Sequence, residues 1–237
     1  MDFGFSEQQR DVQNLAREIL GEQVTPEKLA QYDRYQAPRF DRELWAQIAQ
    51  AGLLGVAIDE QYGGVGFGFF EAGLIAEEVG RNIAPLPYIS HCISAALPIQ
   101  QFGSDEQKAR LLPGAVSGDV LLTAALMEAN NEDPTQPLLC RAQASAEGVQ
   151  ISGEKLCVPF AEQADHILLA AAGEAGPVVV LLQAGMPGLS LEAMEVSTYE
   201  PQYRLTLNDV SVSSDNVLAS GDQAAALLKQ LSETTTA

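Results

Sequence analysis

Two histidines and three cysteines are the side chains of this 237-residue chain best suited to metal binding or nucleophilic catalysis. His91 and His166 are far apart in the sequence, and neither has another ligand at the spacing of a zinc site. Cys92, Cys140 and Cys157 are odd in number and form no C-x-x-C pair, which argues against a disulfide framework and for a reducing compartment. No G-x-S-x-G elbow or Cys–His pair stands out. The sequence therefore predicts no metal site and no hydrolytic centre, and both histidines are expected to be packed or surface residues.

Four glycines at positions 63, 64, 66 and 68 follow the apolar run of residues 53–58 and precede a predicted helix. An apolar run, glycines and a helix also form the order of a dinucleotide-binding fingerprint. Gly64 and Gly66 fit its first two positions, but Phe69 occupies the third, and the chain has no GK[ST] sequence. Because glycine also permits positive φ and close backbone approach, we interpret this stretch as a tightly packed corner.

Helix signals fill the first 118 residues. Capping boxes begin at Ser6 and Ser104, and Asp41 can cap a helix whose apolar face carries Trp45. We expect Trp45, the single tryptophan of the chain, to pack in the core.

Short apolar runs separated by turn residues begin near Asp119 and predict a β-rich region. Ser152-Gly153 is a plausible hairpin turn between two of these strands. Many short strands in succession predict a β-barrel or sandwich. From Gly221 the pattern is helical again. Because little sequence follows, the apolar face of this helix is predicted to have nothing to pack against, as in a truncated chain or, alternatively, at a frayed natural terminus.

The composition argues against several kinds of partner. Hydrophobic residues make up 46% of the chain and charged residues 19%, which is typical of a globular protein. The 32 acidic and 13 basic residues give a net charge of −19 without any basic cluster, so a nucleic-acid partner is not expected. No apolar run reaches membrane-spanning length and no secretory signal is visible, so the sequence predicts a cytoplasmic protein that does not enter a membrane.

Several motifs together resemble the acyl-CoA dehydrogenase family. They are AGLLG at residues 51–55, YGG-x-G at 62–66, EE-x-G at 77–80, GSDEQKARLLPGAVSG at 103–118 and YRLTLNDVSVSSDNVL at 203–218. The resemblance implies an α+β multidomain fold. An N-terminal all-α domain (1–118) is followed by a middle β-barrel or sandwich domain (119–219), and residues 220–237 are the first helix of a C-terminal helical bundle that is otherwise missing.

By this resemblance, two segments of the β-domain contact FAD. The first is residues 124–135, AALMEANNEDPT, at the place of the family's TEPGAGSD loop. Glu128 matches the family's glutamate, and Leu126 and Met127 are expected to bind the cofactor. Asp133 is expected beside the substrate, where it and its acidic neighbour are an electrostatic mismatch for an anionic CoA ester.

The second segment is residues 153–159, GEKLCVP, at the place of the family's G-x-K-x-W-I-T strand. The glycine and the lysine match, whereas Cys157 replaces the tryptophan that lies against the flavin and Pro159 replaces a threonine. Cys157, Val158 and Pro159 are expected to contact FAD, although proline has no hydroxyl and no N–H. The alternative is an ordinary strand face in which the cysteine is a small packing residue.

The resemblance implies a flavoprotein that desaturates an acyl-CoA thioester between Cα and Cβ and passes the electrons to an electron-transferring flavoprotein. The catalytic base, a glutamate, is expected in the missing C-terminal domain. We therefore assign no catalytic residue, and we expect the 237-residue chain alone to be inactive. The full protein is expected to be a homo- or heterotetramer, the latter with a paralogous subunit. Two alternatives stay open: a non-catalytic structural subunit of a heteromeric acyl-CoA dehydrogenase, and an oxidase on the same fold.

Overall fold

The computed structural model describes residues 4–32 and 38–236, which form helices first, then strands, then a final helix. This order confirms the predicted fold class. In chain order the elements are α1 (Glu7–Gln23), α2 (Pro26–Tyr32), α3 (Arg42–Gln50), α4 (Phe69–Arg81), α5 (Leu97–Phe102), α6 (Asp105–Ser117), β1 (Leu122–Ala125), β2 (Arg141–Ser145), β3 (Gly148–Pro159), β4 (His166–Gly173), β5 (Gly176–Gln183), β6 (Leu189–Met194), β7 (Gln202–Ser213), β8 (Val217–Ser220) and α7 (Gly221–Thr236). A π-helical segment, Ile89–Ala96, leads directly into α5.

The predicted helix caps are confirmed. The Ser6 and Ser104 hydroxyls each accept a hydrogen bond from the amide three residues later, and the Asp41 carboxylate accepts from two amides at the start of α3. Trp45 lies in the core as predicted, with 4% of its surface exposed. Its indole N–H donates to the carbonyl of Gly118 over 3.1 Å, so α3 is joined to the end of α6.

The glycine-rich corner is tightly packed. A Cβ atom on Gly64 would lie 2.0 Å from the carbonyl oxygen of Ile58, and Gly66 has a φ of +75°. The amides of Gly64, Val65 and Gly66 donate to backbone carbonyls of the preceding turn. Because these N–H groups already have partners, the corner offers no cradle for a phosphate, in agreement with its interpretation as a structural turn.

The strands form one mixed sheet in the order β6-β7-β3-β2-β4-β5-β8, and β1 pairs with β4 in parallel. The predicted hairpin turn at Ser152-Gly153 is wrong, because β3 continues through both residues. It pairs with β2 up to Ser152 and with β7 along most of its length, with a register shift between Ile151 and Gly153. A Cβ atom on Gly153 would lie 2.6 Å from the Cα of Cys140, so this glycine allows a close approach of two backbones instead of a chain reversal.

The apolar face of α7 does have a partner, contrary to the prediction. Buried side chains of β4 and β5 alternate between the two faces of the sheet, and α7 packs on the outer face with α5 and the π-helical segment. The buried α7 residues are the four predicted apolar positions, Ala224, Leu227, Leu228 and Leu231. The sequence pattern predicted the face correctly, but not that an earlier part of the chain covers it.

Within the part of the chain that the structure describes, none of the helices combines the length and the apolar character needed to span a bilayer.

Candidate functional site

The two segments expected to contact flavin meet at the middle of the sheet. Strand β1 runs beside β4 as far as the pair Ala125–Leu169, and β2 meets β4 at the pair Arg141–Ala172. Residues 126–140, which connect β1 to β2, therefore leave the sheet and return to it along the same side of β4. The other neighbour of β2 is β3, whose second half carries the second segment. The fold thus places both segments in one region.

Glu128 and Lys155 join the two segments. The Lys155 ammonium donates to Glu128 Oε1 over 2.8 Å, and neither side chain is exposed to solvent. The same ammonium donates to the carbonyl of Leu126 over 3.1 Å. Burying two charges is costly unless they are paired and hydrogen-bonded, and both conditions hold here.

The Glu128 carboxylate also holds the far end of the connection. Its Oε2 atom accepts from the amides of Leu138 and Leu139, each over 2.8 Å, and its Oε1 atom accepts from the amide of Cys140 over 3.1 Å. Sequence reasoning noted that Glu128 and Lys155 match the family but missed that they contact each other. One sequence signal could have suggested this contact: Glu128 lies in the first of the two segments expected to bind the cofactor, and Lys155 lies in the second.

These contacts shift the ionisation of both partners. Burial alone raises the pKa of Glu128, but the Leu139 amide, the Lys155 ammonium and the Leu138 amide outweigh burial and lower this pKa to about 2. Burial lowers the pKa of Lys155, and Glu128 opposes part of that change. The carboxylate is therefore charged at neutral pH, and its contribution to stability is lost only as the pH falls from the ordinary carboxyl range towards about 2.

Three exposed apolar side chains lie on residues next to this pair, and we call them the apolar patch: Met127 precedes Glu128 in the chain, and the amides of Leu138 and Leu139 bond its carboxylate. The exposed fractions of the three side chains are 43%, 56% and 53%. The carbonyl of Met127 accepts from the amide of Leu156 over 2.9 Å, so β3 is held beside the patch. Cys157, the residue after Leu156, is exposed and has a free thiol. Clustered exposed apolar residues of this kind often mark a surface that binds a ligand or another chain.

The end of β3 offers little for polar recognition. Val158 is buried, and Pro159 is partly buried. The Pro159 carbonyl accepts a hydrogen bond from the Thr123 hydroxyl over 2.6 Å. Cys157 and Phe160 have φ values near +50°, and the register shifts between Lys155 and Val158, so the alternation of an ordinary strand face is interrupted here.

Asp133 lies at the exposed tip of the connection, away from the buried pair. Its carboxylate accepts from the amide of Thr135 over 2.9 Å and from the side chain of Gln136 over 3.0 Å. Hydrogen bonds from Thr135 lower the pKa of Asp133, so this carboxylate is charged at neutral pH. Leu126, by contrast, is partly buried at the base of the connection.

Sequence reasoning missed a cleft of about 330 Å³ between the helices and the sheet. Arg39 closes one side of it by donating to the carbonyls of Thr198 and Ile83 over 2.9 and 3.1 Å. Ile83 and Phe160, which both have positive φ, line the cleft, and strained residues often occur at ligand-binding sites. No sequence signal identified this cleft, because its walls come from four separate stretches of the chain.

An aromatic row connects this cleft to the helical layer. Ring centroids are 6.1 Å apart for Phe160 and Phe40, 6.0 Å for Phe40 and Trp45, and 4.9 Å for Trp45 and His91, all in edge-to-face geometry. His91 is fully buried and its Nε2 atom bonds the carbonyl of Ala115. The other ring nitrogen, Nδ1, accepts from the amide at the start of β1 over 3.0 Å. His91 is therefore a packed residue, as expected, and His166 is half-buried.

The residues of the site suit the apolar face of a flavin ring better than its polar edge. The apolar patch suits the face of a planar ring system. The polar edge of such a ring needs hydrogen-bond donors, and Pro159 has none, while its carbonyl is already bonded to Thr123. Within residues 4–32 and 38–236, no group of three or more His, Cys, Asp and Glu side chains could hold a metal ion.

Residues 6–119 match the family model described as acyl-CoA dehydrogenase, N-terminal domain. The acyl-CoA dehydrogenase FadE27 of Mycobacterium tuberculosis is 33% identical over 214 residues, which cover 90% of this chain and 56% of that protein. The chain therefore spans little more than half the length of this relative.

Two solved structures have a similar backbone and more than 30% identity. The ChsE4-ChsE5 complex from Mycobacterium tuberculosis matches with a TM-score of 0.89 and 32% identity, covering 98% of this chain and 62% of that chain. A structure described as the Tcur3481-Tcur3483 steroid ACAD, in a G363A variant, matches with a TM-score of 0.86 and 36% identity, covering 96% of this chain and 61% of that chain.

Proposed function

Because this chain belongs to the acyl-CoA dehydrogenase family, we propose that the full-length protein is an FAD-dependent enzyme that desaturates an acyl-CoA thioester between Cα and Cβ. The observation that carries the proposal is the meeting of the two expected flavin segments. The Lys155–Glu128 ion pair and the Leu156–Met127 hydrogen bond hold them together next to the exposed apolar residues of the patch. FAD, when bound, would accept the hydride from the β-carbon of the substrate.

The residues of this chain would mainly bind and orient the cofactor. Met127, Leu138 and Leu139 would cover a ring face and exclude water from it, and Cys157 would border that face. We retain Leu126, Val158 and Pro159 as cofactor neighbours through their position beside the patch. Asp133 would lie at the substrate entrance, and we assign the catalytic base to no residue of this chain.

The proposal extends to the partners of the full-length protein. An electron-transferring flavoprotein would reoxidise the cofactor, and the protein would work in the cytoplasm as a homo- or hetero-oligomer. The steroid ACAD among the similar structures supports a bulky acyl group as one substrate to test.

A second candidate is a supporting subunit that pairs with an active paralogue. It is favoured by Pro159, which has no donor for a flavin ring edge and a carbonyl already bonded to Thr123.

An absorbance spectrum of the full-length protein separates the two candidates. The protein is purified alone and after co-expression with its genomic neighbours, and each preparation is then mixed with an acyl-CoA. We expect a flavin band near ~450 nm that bleaches on addition of the acyl-CoA. A protein that is colourless alone and yellow only with a partner would support the second candidate, and a protein without flavin in either preparation would contradict both.

A further inference from the structure

We infer that the Glu128–Lys155 pair is a clamp that holds both ends of the connection formed by residues 126–140. Because of this clamp, the position of the apolar patch does not depend on which residues form the tip of the connection, residues 131–136. The clamp itself follows from the contacts of the structure. Its consequence for flavin rests on the proposed function. Glu128 and Lys155 are thus positioning residues and are not assigned a chemical step.

The pair holds both ends of the connection. Lys155 fixes the first end through the Leu126 carbonyl, and Glu128 fixes the last end through the amides of residues 138–140. The ion pair joins these two sets of contacts over 2.8 Å. Met127, Leu138 and Leu139 are each within one residue of a clamped group, so the clamp sets the position of the whole patch.

The tip is organised separately, by its own hydrogen bonds. The Asn131 side chain donates to the Gln136 carbonyl over 2.9 Å and accepts from the Asp133 amide over 3.1 Å. Asp133 in turn accepts from Thr135. A long backbone contact of 3.4 Å, from the Asn131 amide to the Glu128 carbonyl, joins the tip to the clamp. Changes at the tip, including the residues that replace the family's small Gly/Ser loop, are therefore absorbed without moving the patch.

The two charges are expected to stabilise the connection only together. Lys155→Met leaves the buried Glu128 carboxylate without its counter-charge, which is strongly unfavourable. Replacing both partners, as Glu128→Gln with Lys155→Met, leaves no buried charge, and the glutamine oxygen still accepts from part of residues 138–140. The double variant is therefore expected to be closer to the unmodified protein than Lys155→Met is.

Hydrogen exchange of the full-length protein tests the clamp without reference to activity. The amides of residues 138–140 should exchange at least ~10-fold faster in Lys155→Met, and the double variant should recover part of this loss. In Asn131→Gly, which removes the side-chain bonds of the tip, exchange at 138–140 should stay within about twofold. Glu192→Gln, which breaks the exposed pair of Glu192 with Arg204, is the control and should change neither region.

Each result decides the matter. The clamp is overturned if Lys155→Met leaves residues 138–140 protected, or if Asn131→Gly loosens them as much as Lys155→Met does. If Lys155→Met does not fold, the twofold limit for Asn131→Gly is the criterion: faster exchange than that at residues 138–140 overturns the independence of the patch from the tip, and protection within that limit supports it.

FAD retained per protein, measured on the same samples, should fall at least ~10-fold in Lys155→Met and hold within about twofold in Asn131→Gly. If the unmodified protein retains no flavin, the proposed function fails, whereas the exchange pattern continues to test the clamp.

Discussion

At the scale of single residues, buried polar side chains hold separate parts of the backbone together through hydrogen bonds. Glu128, Lys155 and His91 are fully or almost fully buried, and each bonds backbone groups that the regular elements leave without a partner. Leaving such a group unpaired in the interior costs about 1–3 kcal/mol, so each residue is difficult to replace. Their protonation states follow from the same burial.

His91 should make stability depend on pH. Burial lowers the pKa of His91 to about 4, against a smaller opposing effect of the Ala115 carbonyl, whereas the unfolded imidazole titrates near its ordinary value of 6.5. Between those two values the unfolded chain binds a proton that the folded protein does not, so acidification favours unfolding. We expect this residue alone to remove about 2 kcal/mol of unfolding free energy between pH 7 and pH 5.

Urea unfolding at the two pH values measures this effect. His91→Gln keeps a donor and an acceptor but does not titrate, so the loss between pH 7 and pH 5 should be about 2 kcal/mol smaller in the variant. His166→Gln is the comparison, since His166 is only half-buried and should account for less of the loss. An unchanged pH dependence in His91→Gln would contradict the assignment.

Pro159 should limit the affinity for flavin. Pro159→Thr restores a hydroxyl at the end of β3, and one added hydrogen bond should tighten FAD binding of the full-length protein by about 2- to 10-fold. Pro159→Val is the matched control, because it also removes the ring but adds no hydroxyl, and it should leave the affinity unchanged. Titration of the apoprotein with FAD gives both values, and equal gains in the two variants would show that the hydroxyl is not responsible.

At the scale of elements, glycines decide where the chain can turn and where two backbones can approach. Gly64 allows the corner before α4 to close on Ile58, and Gly153 allows β3 to pass close to Cys140. In both cases a side chain would occupy space that another backbone already fills. The same residue type therefore supports a turn at one position and an unbroken, bulged strand at the other.

Gly64→Ala should destabilise the protein by about 2 kcal/mol or more, because the added methyl group would lie 2.0 Å from the Ile58 carbonyl oxygen and the backbone would have to move. Gly73→Ala, in the middle of α4, is the matched control: an added Cβ meets no atom within 4 Å, and the helix should gain up to about 1 kcal/mol. Chemical denaturation measures both, and equal effects of the two substitutions would refute the close approach at Gly64.

At the scale of the whole molecule, the sheet is covered on two sides. Its inner face shares one apolar cluster with α1, α3 and α4, and its outer face shares another with α5, α6 and α7. Helices from both ends of the chain thus pack around one sheet. The polar contacts between α1 and α4, including the 2.7 Å ion pair of Arg17 with the buried Glu78, hold the helical layer together.

Leu228→Ala should therefore cost about 2–5 kcal/mol, since it removes a buried side chain from the outer cluster. Lys229→Ala changes the exposed neighbour on the same helix and should stay within about 0.5 kcal/mol. Thermal or urea unfolding of the two variants compares them directly. A small effect of Leu228→Ala would mean that α7 does not pack on the sheet in solution.

The sequence by itself determined the features that depend on short separations. The capping boxes at Ser6 and Ser104 join residues three positions apart, and the apolar periodicity of α7 fixes which of its faces is buried. Family motifs such as YGG-x-G and EE-x-G could be read for the same reason, and with them came the order of helical and β regions.

The tertiary structure alone decided the features that depend on strand register and packing. The meeting of Glu128 with Lys155, the continuation of β3 through Ser152-Gly153 and the cleft closed by Arg39 all join distant parts of the chain. Pairing between strands brings such residues together, and a shift of one residue in register would turn each side chain to the opposite face. Local sequence patterns do not encode that register. The motifs therefore identified the two segments of the site, whereas only the fold showed which contacts join them.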